Sequence, residues 1–508
     1  MNAQALAESA PPPVQPEPQP IATAAARGVL WALLATLAAK LSWLAALAVL
    51  ARLLRPAEFG LFSFGLVFVT FVETVGDLGA GAALIYSRRG AERAAQGTFV
   101  LNLAMGALWF ALAQLAAPFV AAFFHDPRGE PVIRALAFVF LLKGLGNTHD
   151  ALLRKRLRFR SRLGPELALA LGKGGLAVAL ALAGFGVWSL VWGQLLGVAL
   201  WTAALWRVVP WRPERAWPRG ELAPLLRYGR GIVAVDVLAG VLHHADLVVV
   251  GRMAGTTALG LYQLAGRVPE MTVTLAVWVT SHVLFPAFAR LHAAGEGLRE
   301  GFLAALRWIP MLTLPMAAGL WLLAEPLLLA LFGGQWVSGA PVLRALAVYT
   351  ALRSLGSHAG DLLKAVGRPG LLAWLGLGKA ALLVPALIVA GSRGPVAVAV
   401  ALASVTGFTA LLNLGVVAWI TGVSPAAMAR AVAPPALATA AMAALLALAG
   451  RVAPPLPPAV ELAAGIALGV ATYVAALSAV APAALREAAR TLRGGGAGAA
   501  AGDSAHAR

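Results

Sequence analysis

Long apolar runs recur from about Val29 to about Ala481, and they constrain the fold more than any other feature of the chain. Each run is close to the ~20 residues that a helix needs to cross ~30 Å of hydrocarbon. Backbone groups find no water inside a bilayer, so a spanning run must be helical. Of 508 residues, 60% are hydrophobic and 12% are charged, against roughly 25% charged in soluble domains. The sequence predicts an all-α, polytopic membrane protein.

The span lengths predict about fourteen transmembrane helices. They cover 28–53, 61–86, 96–123, 131–153, 163–184, 186–207, 231–252, 257–289, 301–324, 340–364, 370–391, 395–420, 426–449 and 456–481. The expected organisation is a disordered cytoplasmic tail (1–27), a lobe of helices 1–6 (28–210), a basic cytoplasmic linker (211–230), a lobe of helices 7–12 (231–421), helices 13 and 14 (422–482) and a second cytoplasmic tail (483–508).

Two segments of the chain nearly repeat each other. Residues 131–154 read PVIRALAFVFLLKGLGNTHDALLR and residues 341–364 read PVLRALAVYTALRSLGSHAGDLLK, with nearly half of the aligned pairs identical. A second pair of segments aligns at a similar offset and matches Arg52 with Arg252 and Gly60 with Gly260. We therefore predict that helices 1–6 and 7–12 are two copies of one bundle with the same orientation. Parallel repeats of this kind are typical of transporters that rock two bundles about a midplane site.

The net charge of +18 is concentrated in loops rather than spread along the chain. Basic clusters fall between apolar runs in alternate loops, at 88–93, 154–162, 207–230 and 290–299. This alternation is the positive-inside pattern. It predicts a multi-pass membrane protein with both termini in the cytoplasm, and it gives the basic clusters an orienting role instead of nucleic-acid binding.

Metal and thiol chemistry find little support. The chain has no cysteine, which excludes disulfides, thiol catalysis and cysteine metal sites. His243 and His244 are adjacent, so on a helix they point about 100° apart and cannot form the i, i+4 pair of a helical metal site. We expect no metal and no cofactor.

Ionisable residues inside the predicted spans are the candidate functional groups, because a charge near the bilayer centre costs ~2.5–3.5 kcal/mol on insertion scales and must face a cavity or a partner. Deep cations outnumber deep carboxylates, and surplus positive charge suits an anionic substrate. The candidate substrate-binding cations are Lys40, Lys143, Lys173, Arg307 and Arg353. The candidate gating or ion-pair residues are Glu73, Asp77, Arg267 and Glu270. For Arg267 and Glu270, an intrahelical ion pair and a cavity role both remain open.

Three stretches resemble one family. They are PAEFG at 56–60, DLGAGAALI at 77–85 and VLFPAFARL at 283–291. The first two, within Ala51–Ile85, resemble the second-helix signature of polysaccharide transporters, the Wzx-type oligosaccharide flippases of the multidrug/oligosaccharidyl-lipid/polysaccharide exporter superfamily. The third is similar to the end of that family's helix eight. The resemblance covers helices 1–12, whereas helices 13 and 14 carry no motif that matches it.

The resemblance implies a carrier, and not an enzyme, in the bacterial inner (plasma) membrane. Such a carrier moves undecaprenyl-pyrophosphate-linked oligosaccharide from the inner to the outer leaflet by alternating access. The implied partners are membrane lipid, this lipid-linked glycan and other polysaccharide-assembly proteins, and we expect a monomer. Two alternatives stay open. A multidrug/cation antiporter would require a functional carboxylate in helix one, but this helix contains Lys40 and no Asp or Glu. A membrane polymerase or ligase would require a sizeable extracytoplasmic loop that carries catalytic groups. The longest outward segment of this chain, 325–341, is mostly apolar.

Overall fold

The computed structural model describes residues 42–76, 81, 84, 91–156, 160–214 and 222–482. Across these ranges the regular structure is helical, which confirms the predicted all-α class. Ten helices in the described part are long and apolar enough to cross a membrane. The predicted tails, 1–27 and 483–508, lie outside the described residues.

The first lobe runs from α1 to α8. Its helices are α1 (Ser42–Leu53), α2 (Pro56–Gly76), α3 (Ala91–Phe123), α4 (Gly129–Leu136), α5 (Phe138–Lys155), α6 (Leu163–Ala170), α7 (Ala177–Leu182) and α8 (Val187–Val208). The predicted fourth helix consists of α4 and α5, which meet at Ala137. The predicted fifth helix consists of α6 and α7, joined by a π-helical turn over Leu171–Leu176. Such π-turns frequently occur at functional sites.

The second lobe runs from α9 to α14, and two more helices follow it. They are α9 (Leu222–Ala294), α10 (Leu298–Leu322), α11 (Ala324–Leu331), α12 (Ala340–Ala365), α13 (Pro369–Gly391), α14 (Pro395–Thr421), α15 (Pro425–Val452) and α16 (Pro458–Val480). The predicted helices 7 and 8 are the two arms of α9, residues 222–254 and 256–294. They meet at Gly255, whose φ of 84° and ψ of 176° break the helix, a conformation essentially restricted to glycine.

The start of α2 differs from the prediction. The apolar run suggests residue 61, but the helix begins at Pro56. Proline suits the first helical position, because its ring fixes a helical φ and its missing N–H would have no intrahelical partner there. Glu58 adds to this start, since its carboxylate accepts a hydrogen bond from the Arg55 N–H at 2.8 Å.

In the part of the chain that the structure describes, the two lobes share an apolar core at one end of the bundle and have separate cores at the other. We call the end with the basic loops 154–162 and 290–299 the basic end, and the other the opposite end. At the opposite end a single hydrophobic core includes side chains from both lobes, among them Phe64, Leu136 and Trp336. At the basic end the described residues form two separate cores, one around Trp201 and one around Phe302. Among the described residues, the apolar core shared by the two lobes therefore lies at the opposite end.

Helices α15 and α16, which correspond to the predicted helices 13 and 14, pack against α10 and α11 of the second lobe. The Tyr473 hydroxyl donates a hydrogen bond to the Met311 carbonyl at 2.6 Å, which satisfies its polar group inside an apolar contact. An apolar cavity of about 460 Å³ lies between these helices. Many of the remaining large side chains of the pair, such as Leu437 and Val470, are exposed and would meet hydrocarbon in a membrane.

Candidate functional site

A polar cavity of about 240 Å³ lies where the two lobes meet, and we call it the central cavity. The first lobe supplies one face of α2, including Thr70. The second lobe supplies both arms of α9 together with α12 and α14. The break at Gly255 folds the two arms of α9 back on each other, so residues distant in sequence line the same space. Its ionisable lining residues are His243, His244, Asp246, Arg267, Glu270, Tyr262, Tyr349 and Arg353.

Two tyrosines anchor charged groups in this cavity. The buried Tyr262 hydroxyl donates a hydrogen bond to the Asp246 carboxylate at 2.9 Å. Tyr349 and Arg353 lie one helical turn apart on α12, where their side chains hydrogen bond and the guanidinium carbon lies 5.6 Å from the ring centroid. These contacts hold Asp246 and Arg353 in fixed positions at the cavity wall.

The second arm of α9 carries an ion pair into the cavity. An Arg267 nitrogen lies 3.5 Å from a Glu270 carboxylate oxygen, as the i, i+3 spacing allows. His243 approaches the same carboxylate at 3.9 Å from the first arm. The pair is thus intrahelical and also lines the cavity, so the two roles left open by the sequence coexist geometrically.

The first lobe contributes a lysine–glutamate pair. The Lys143 ammonium on α5 lies 2.7 Å from the Glu73 carboxylate on α2, and both side chains are mostly buried. Lys173 lies on the π-turn, close enough for the charges of Lys143, Glu73 and Arg267 to act on its ammonium. Arg267 belongs to the second lobe, so its interaction with Lys173 crosses the boundary between the lobes. The charges of the first lobe therefore form one electrostatic group with those of the central cavity.

The remaining candidates lie elsewhere. Arg307 is on α10 beside the basic-end core, with its guanidinium 5.6 Å from the Trp308 ring centroid, and it is not among the residues that line the central cavity. A further lysine that was not among the candidate substrate-binding cations, Lys379 on α13, lies within electrostatic range of Arg353. Lys40 and Asp77 lie outside the described residues, so the structure does not describe their positions.

Positive charge exceeds negative charge in this group. Its described cations are Lys143, Lys173, Arg267, Arg353 and Lys379, and its described carboxylates are Glu73, Glu166, Asp246 and Glu270, of which Glu166 is also paired with Arg162. Two of the cations are ion-paired in this state. The site as a whole keeps a positive surplus in a low-dielectric setting, which attracts anions strongly.

A second set of polar contacts closes the opposite end, and we call it the seam: Arg52, His125, Asp126, Arg252, Thr256, Gln335 and Trp336. Asp126 lies in the loop after α3 and is 7% exposed. Its carboxylate accepts hydrogen bonds from the Arg128 guanidinium at 2.8 and 2.9 Å and from the Thr256 hydroxyl of the other lobe at 2.7 Å. The bonds from Arg128 lower the pKa of Asp126 below its ordinary 3.8, so the carboxylate is ionised at neutral pH.

The repeat pair Arg52 and Arg252 makes matching contacts across the seam. Arg52, at the end of α1, donates hydrogen bonds to the carbonyls of Ala330 and Leu331 at 2.5 and 3.3 Å. Arg252, at the end of the first arm of α9, donates to an imidazole nitrogen of His125 at 2.6 Å. Each arginine thus ends the first helix of its own lobe and reaches residues that follow the third helix of the other lobe. Arg52 reaches the end of α11, and Arg252 reaches the loop after α3. The sequence repeat reappears as a two-fold arrangement of contacts.

The other repeat pair lies at the crossing of α2 and α9. A Cβ added to Gly60 would collide with the Thr256 carbonyl, and one added to Gly260 would collide with the Pro56 carbonyl. Glycine at both positions therefore allows the two backbones to touch. Nearby, the Trp336 indole and the Gln335 amide both donate to the Ala51 carbonyl at 2.7 Å. The seam is a tight, polar closure above the central cavity.

Several of these residues were not among the candidates from the sequence. Asp246 and Tyr262 are paired by the fold of α9, which apolar periodicity does not reveal. The seam residues His125 and Asp126 lie in a short loop without an unusual composition, and Thr256 is the first residue of the second arm of α9. One signal was available: Arg52 and Arg252 occupy equivalent repeat positions, and a matched charge at the end of a membrane helix indicates a shared contact.

Comparison with known proteins places the chain in a family. Residues 49–341, more than half of the chain, match the model of the family described as polysaccharide biosynthesis protein. The chain is 26% identical to the teichuronic acid biosynthesis protein TuaB of Bacillus subtilis (strain 168), over 82% of this chain and 86% of that protein. It is 29% identical to the succinoglycan biosynthesis transport protein ExoT of Rhizobium meliloti (strain 1021), over 65% of this chain and 67% of that protein.

The fold is also similar to solved transporter structures. The lipid II flippase MurJ in an inward closed conformation matches with a TM-score of 0.75 at 14% identity, over 88% of this chain and 98% of MurJ. An inward-facing multidrug resistance MATE family transporter of the MOP superfamily matches with a TM-score of 0.62 at 18% identity, over 74% of this chain and 92% of that protein. The chain belongs to the polysaccharide biosynthesis protein family, as the resemblance in its sequence implied.

Proposed function

We propose that this protein is a flippase that moves a polyprenyl-diphosphate-linked oligosaccharide from the inner to the outer leaflet of the bacterial plasma membrane. The observation that carries the proposal is a positively charged cavity between two lobes, in a membrane protein of a polysaccharide biosynthesis family. A relative named as a transport protein and a fold shared with a lipid II flippase support it.

The task explains the charge. A glycan and a diphosphate cannot enter hydrocarbon unaided, because their polar groups would lose their hydrogen bonds to water, whereas the prenyl chain can stay in lipid. Arg353 lines the cavity and offers a cationic donor to the diphosphate oxygens, and arginine suits phosphate through its planar fork of N–H groups. Lys173 adds positive charge beside the cavity without lining it. At about 240 Å³ the cavity is smaller than a typical ligand pocket. It therefore receives the diphosphate end, and the sugars require the lobes to part further.

Alternating access follows from the way the lobes are joined. The positive-inside rule assigns the basic end to the cytoplasm. In that orientation the separate cores lie at the cytoplasmic side, and the shared core and the seam lie at the outer side. Breaking the seam while the basic ends close would turn the cavity outward. The inside-negative potential favours outward anion movement by ~2.3 kcal/mol per charge per 100 mV.

The test is genetic and chemical together. Deleting the gene in the source bacterium should abolish a surface polysaccharide and trap its lipid-linked precursor in the inner leaflet. Arg353→Ala and Lys173→Ala should reproduce this loss at normal protein abundance. Arg430→Ala, at an exposed helical position on α15, is the matched control and should leave polysaccharide unchanged. Normal polysaccharide in the deletion strain would refute the proposal.

The antiporter alternative shares the fold of the MATE transporter and makes a different prediction. A multidrug antiporter would change the minimal inhibitory concentrations of cationic drugs when deleted or overexpressed, with surface polysaccharide unaffected. We expect the reverse pattern.

A further inference from the structure

A groove of about 810 Å³ opens on the side of the protein between the two lobes, and we call it the side groove. The first lobe lines it with Phe71 of α2 and Phe123 of α3. The second lobe lines it with the first arm of α9, including Val248, and with α13, including Ile388. Most of the wall is apolar, and its volume lies in the range of ligand-binding pockets.

The polar residues of the side groove lie at defined places. Arg252, His125 and Ser392 are at the opposite end, where the first arm of α9 and α13 both finish. The Arg252 guanidinium is fixed there by His125 at 2.6 Å and by the Phe123 ring, whose centroid lies 5.3 Å away. The groove is therefore an apolar channel with a positioned cation at the membrane surface, which suits a lipid chain with a phosphate at its head.

The side groove adjoins the central cavity. His244 lines both spaces, and α2 lines the cavity with Leu66, Val67 and Thr70 and the groove with Phe71 one turn further on. The close approach of Gly240 to the Phe71 ring, 3.4 Å from an added Cβ, bounds the groove on its inner side. A lipid whose head is in the cavity thus has a path for its chain between α2 and the first arm of α9.

From this geometry we infer that the side groove is the exit site of the transported lipid: the polyprenyl chain lies along Phe71, Val248 and Ile388 while its diphosphate moves from the cavity to Arg252. This inference rests on the proposed function. Continuity with the cavity favours the transported lipid over an ordinary phospholipid, because a bulk phospholipid has no need of a route to the cavity. A cation at the far end then receives the same diphosphate that the cavity cations release.

The experiment uses the full-length protein in lipid nanodiscs and a glycan-free polyprenyl diphosphate with a diazirine on its chain. Photolabelled peptides are mapped by mass spectrometry. Label should appear on the first arm of α9 and on α13, and Val248→Trp, which fills the groove, should remove it. Leu411→Trp, on a lipid-facing position of α14 that is 70% exposed, is the control and should label normally.

The role of Arg252 is tested by comparison with Arg52, the arginine at the equivalent position of the repeat. Arg252→Gln should weaken labelling about 10-fold or more, the size of a lost hydrogen bond to a charged group. Arg52→Gln disturbs the seam equally but does not line the groove, so it should label normally. If Val248→Trp does not fold, Ala245→Leu replaces it as the test. This smaller substitution also narrows the groove and should reduce labelling.

Three results would overturn the inference. They are unchanged labelling in Val248→Trp and Ala245→Leu, an equal loss in Arg52→Gln and Arg252→Gln, and equal competition by unlabelled phosphatidylglycerol. Surface polysaccharide is measured in parallel in cells. If groove variants label and transport normally while cavity variants lose polysaccharide, the exit site fails and the proposed function stands.

Discussion

Replacing Thr256 with valine tests the seam at a single hydrogen bond between the lobes. The hydroxyl donates to the Asp126 carboxylate at 2.7 Å, and valine keeps the shape of threonine without the donor. Asp126 retains its two bonds from Arg128, so the first lobe is undisturbed. A hydrogen bond to a charged group contributes about 1.5–3 kcal/mol. Because Thr256 is only partly buried, we take the lower value, which shifts the equilibrium towards the open seam by about tenfold.

The absence of native cysteine makes the opening directly measurable. Ala51→Cys places a single thiol beneath the seam, at a fully buried position whose carbonyl accepts from Trp336. A membrane-impermeant maleimide added to cells reacts with this thiol only when the seam opens. Adding Thr256→Val should raise the labelling rate about tenfold.

The control for this experiment is Thr439→Val, which removes a hydroxyl that bonds only within its own helix, to the Pro435 carbonyl. It should leave labelling of Ala51→Cys unchanged. Equal labelling rates with and without the Thr256 hydroxyl would show that this bond does not hold the lobes together, and the seam would lose its role as a gate.

Three further predictions concern the same contacts. The lowered pKa of Asp126 means that its ionised form stabilises the closed seam, fully above the ordinary pKa of 3.8 and progressively less as pH falls through the lowered pKa. The ratio of Ala51→Cys labelling rates with and without Thr256→Val, in which the pH dependence of thiolate formation cancels, should therefore be constant between about pH 5 and 8 and shrink only below 3.8. Gly60→Ala and Gly260→Ala each force a Cβ onto a carbonyl of the other lobe, at about 1–3 kcal/mol, so both should raise labelling and reduce surface polysaccharide. Lys143→Ala leaves Glu73 without its ion-pair partner and should lower Tm, whereas the double variant with Glu73→Ala should recover Tm but not polysaccharide; recovery of both would limit Lys143 to a structural role.

The sequence predicted the fold class because hydrophobic length alone forces spanning runs into helices. The repeat was also readable, since glycine and arginine recur at matched positions and those positions make matched contacts in the structure. Helix ends were less predictable. Helix α2 begins at Pro56, before its apolar run starts. The predicted helices 7 and 8 are separated by Gly255 alone, whereas the sequence predicted a four-residue loop between them.

The site was only partly predictable. Sequence supplied the deep charges but not their partners, because pairs such as Lys143 with Glu73 and Asp246 with Tyr262 depend on how helices cross or fold back. It also gave Arg307 the same standing as Arg353, since depth in a span does not tell which face a residue occupies. The substrate-binding roles of Lys40, Lys143, Lys173, Arg307 and Arg353 remain predictions.

Reconstitution tests the central claim most directly. The purified protein is placed in liposomes with a fluorescent polyprenyl-diphosphate oligosaccharide, and the fraction of that lipid accessible to an impermeant quencher is followed over time. The account predicts protein-dependent exchange between leaflets that Arg353→Ala abolishes and Arg430→Ala preserves. Exchange at the same rate in protein-free liposomes and in both variants, with the protein folded and inserted, would contradict it.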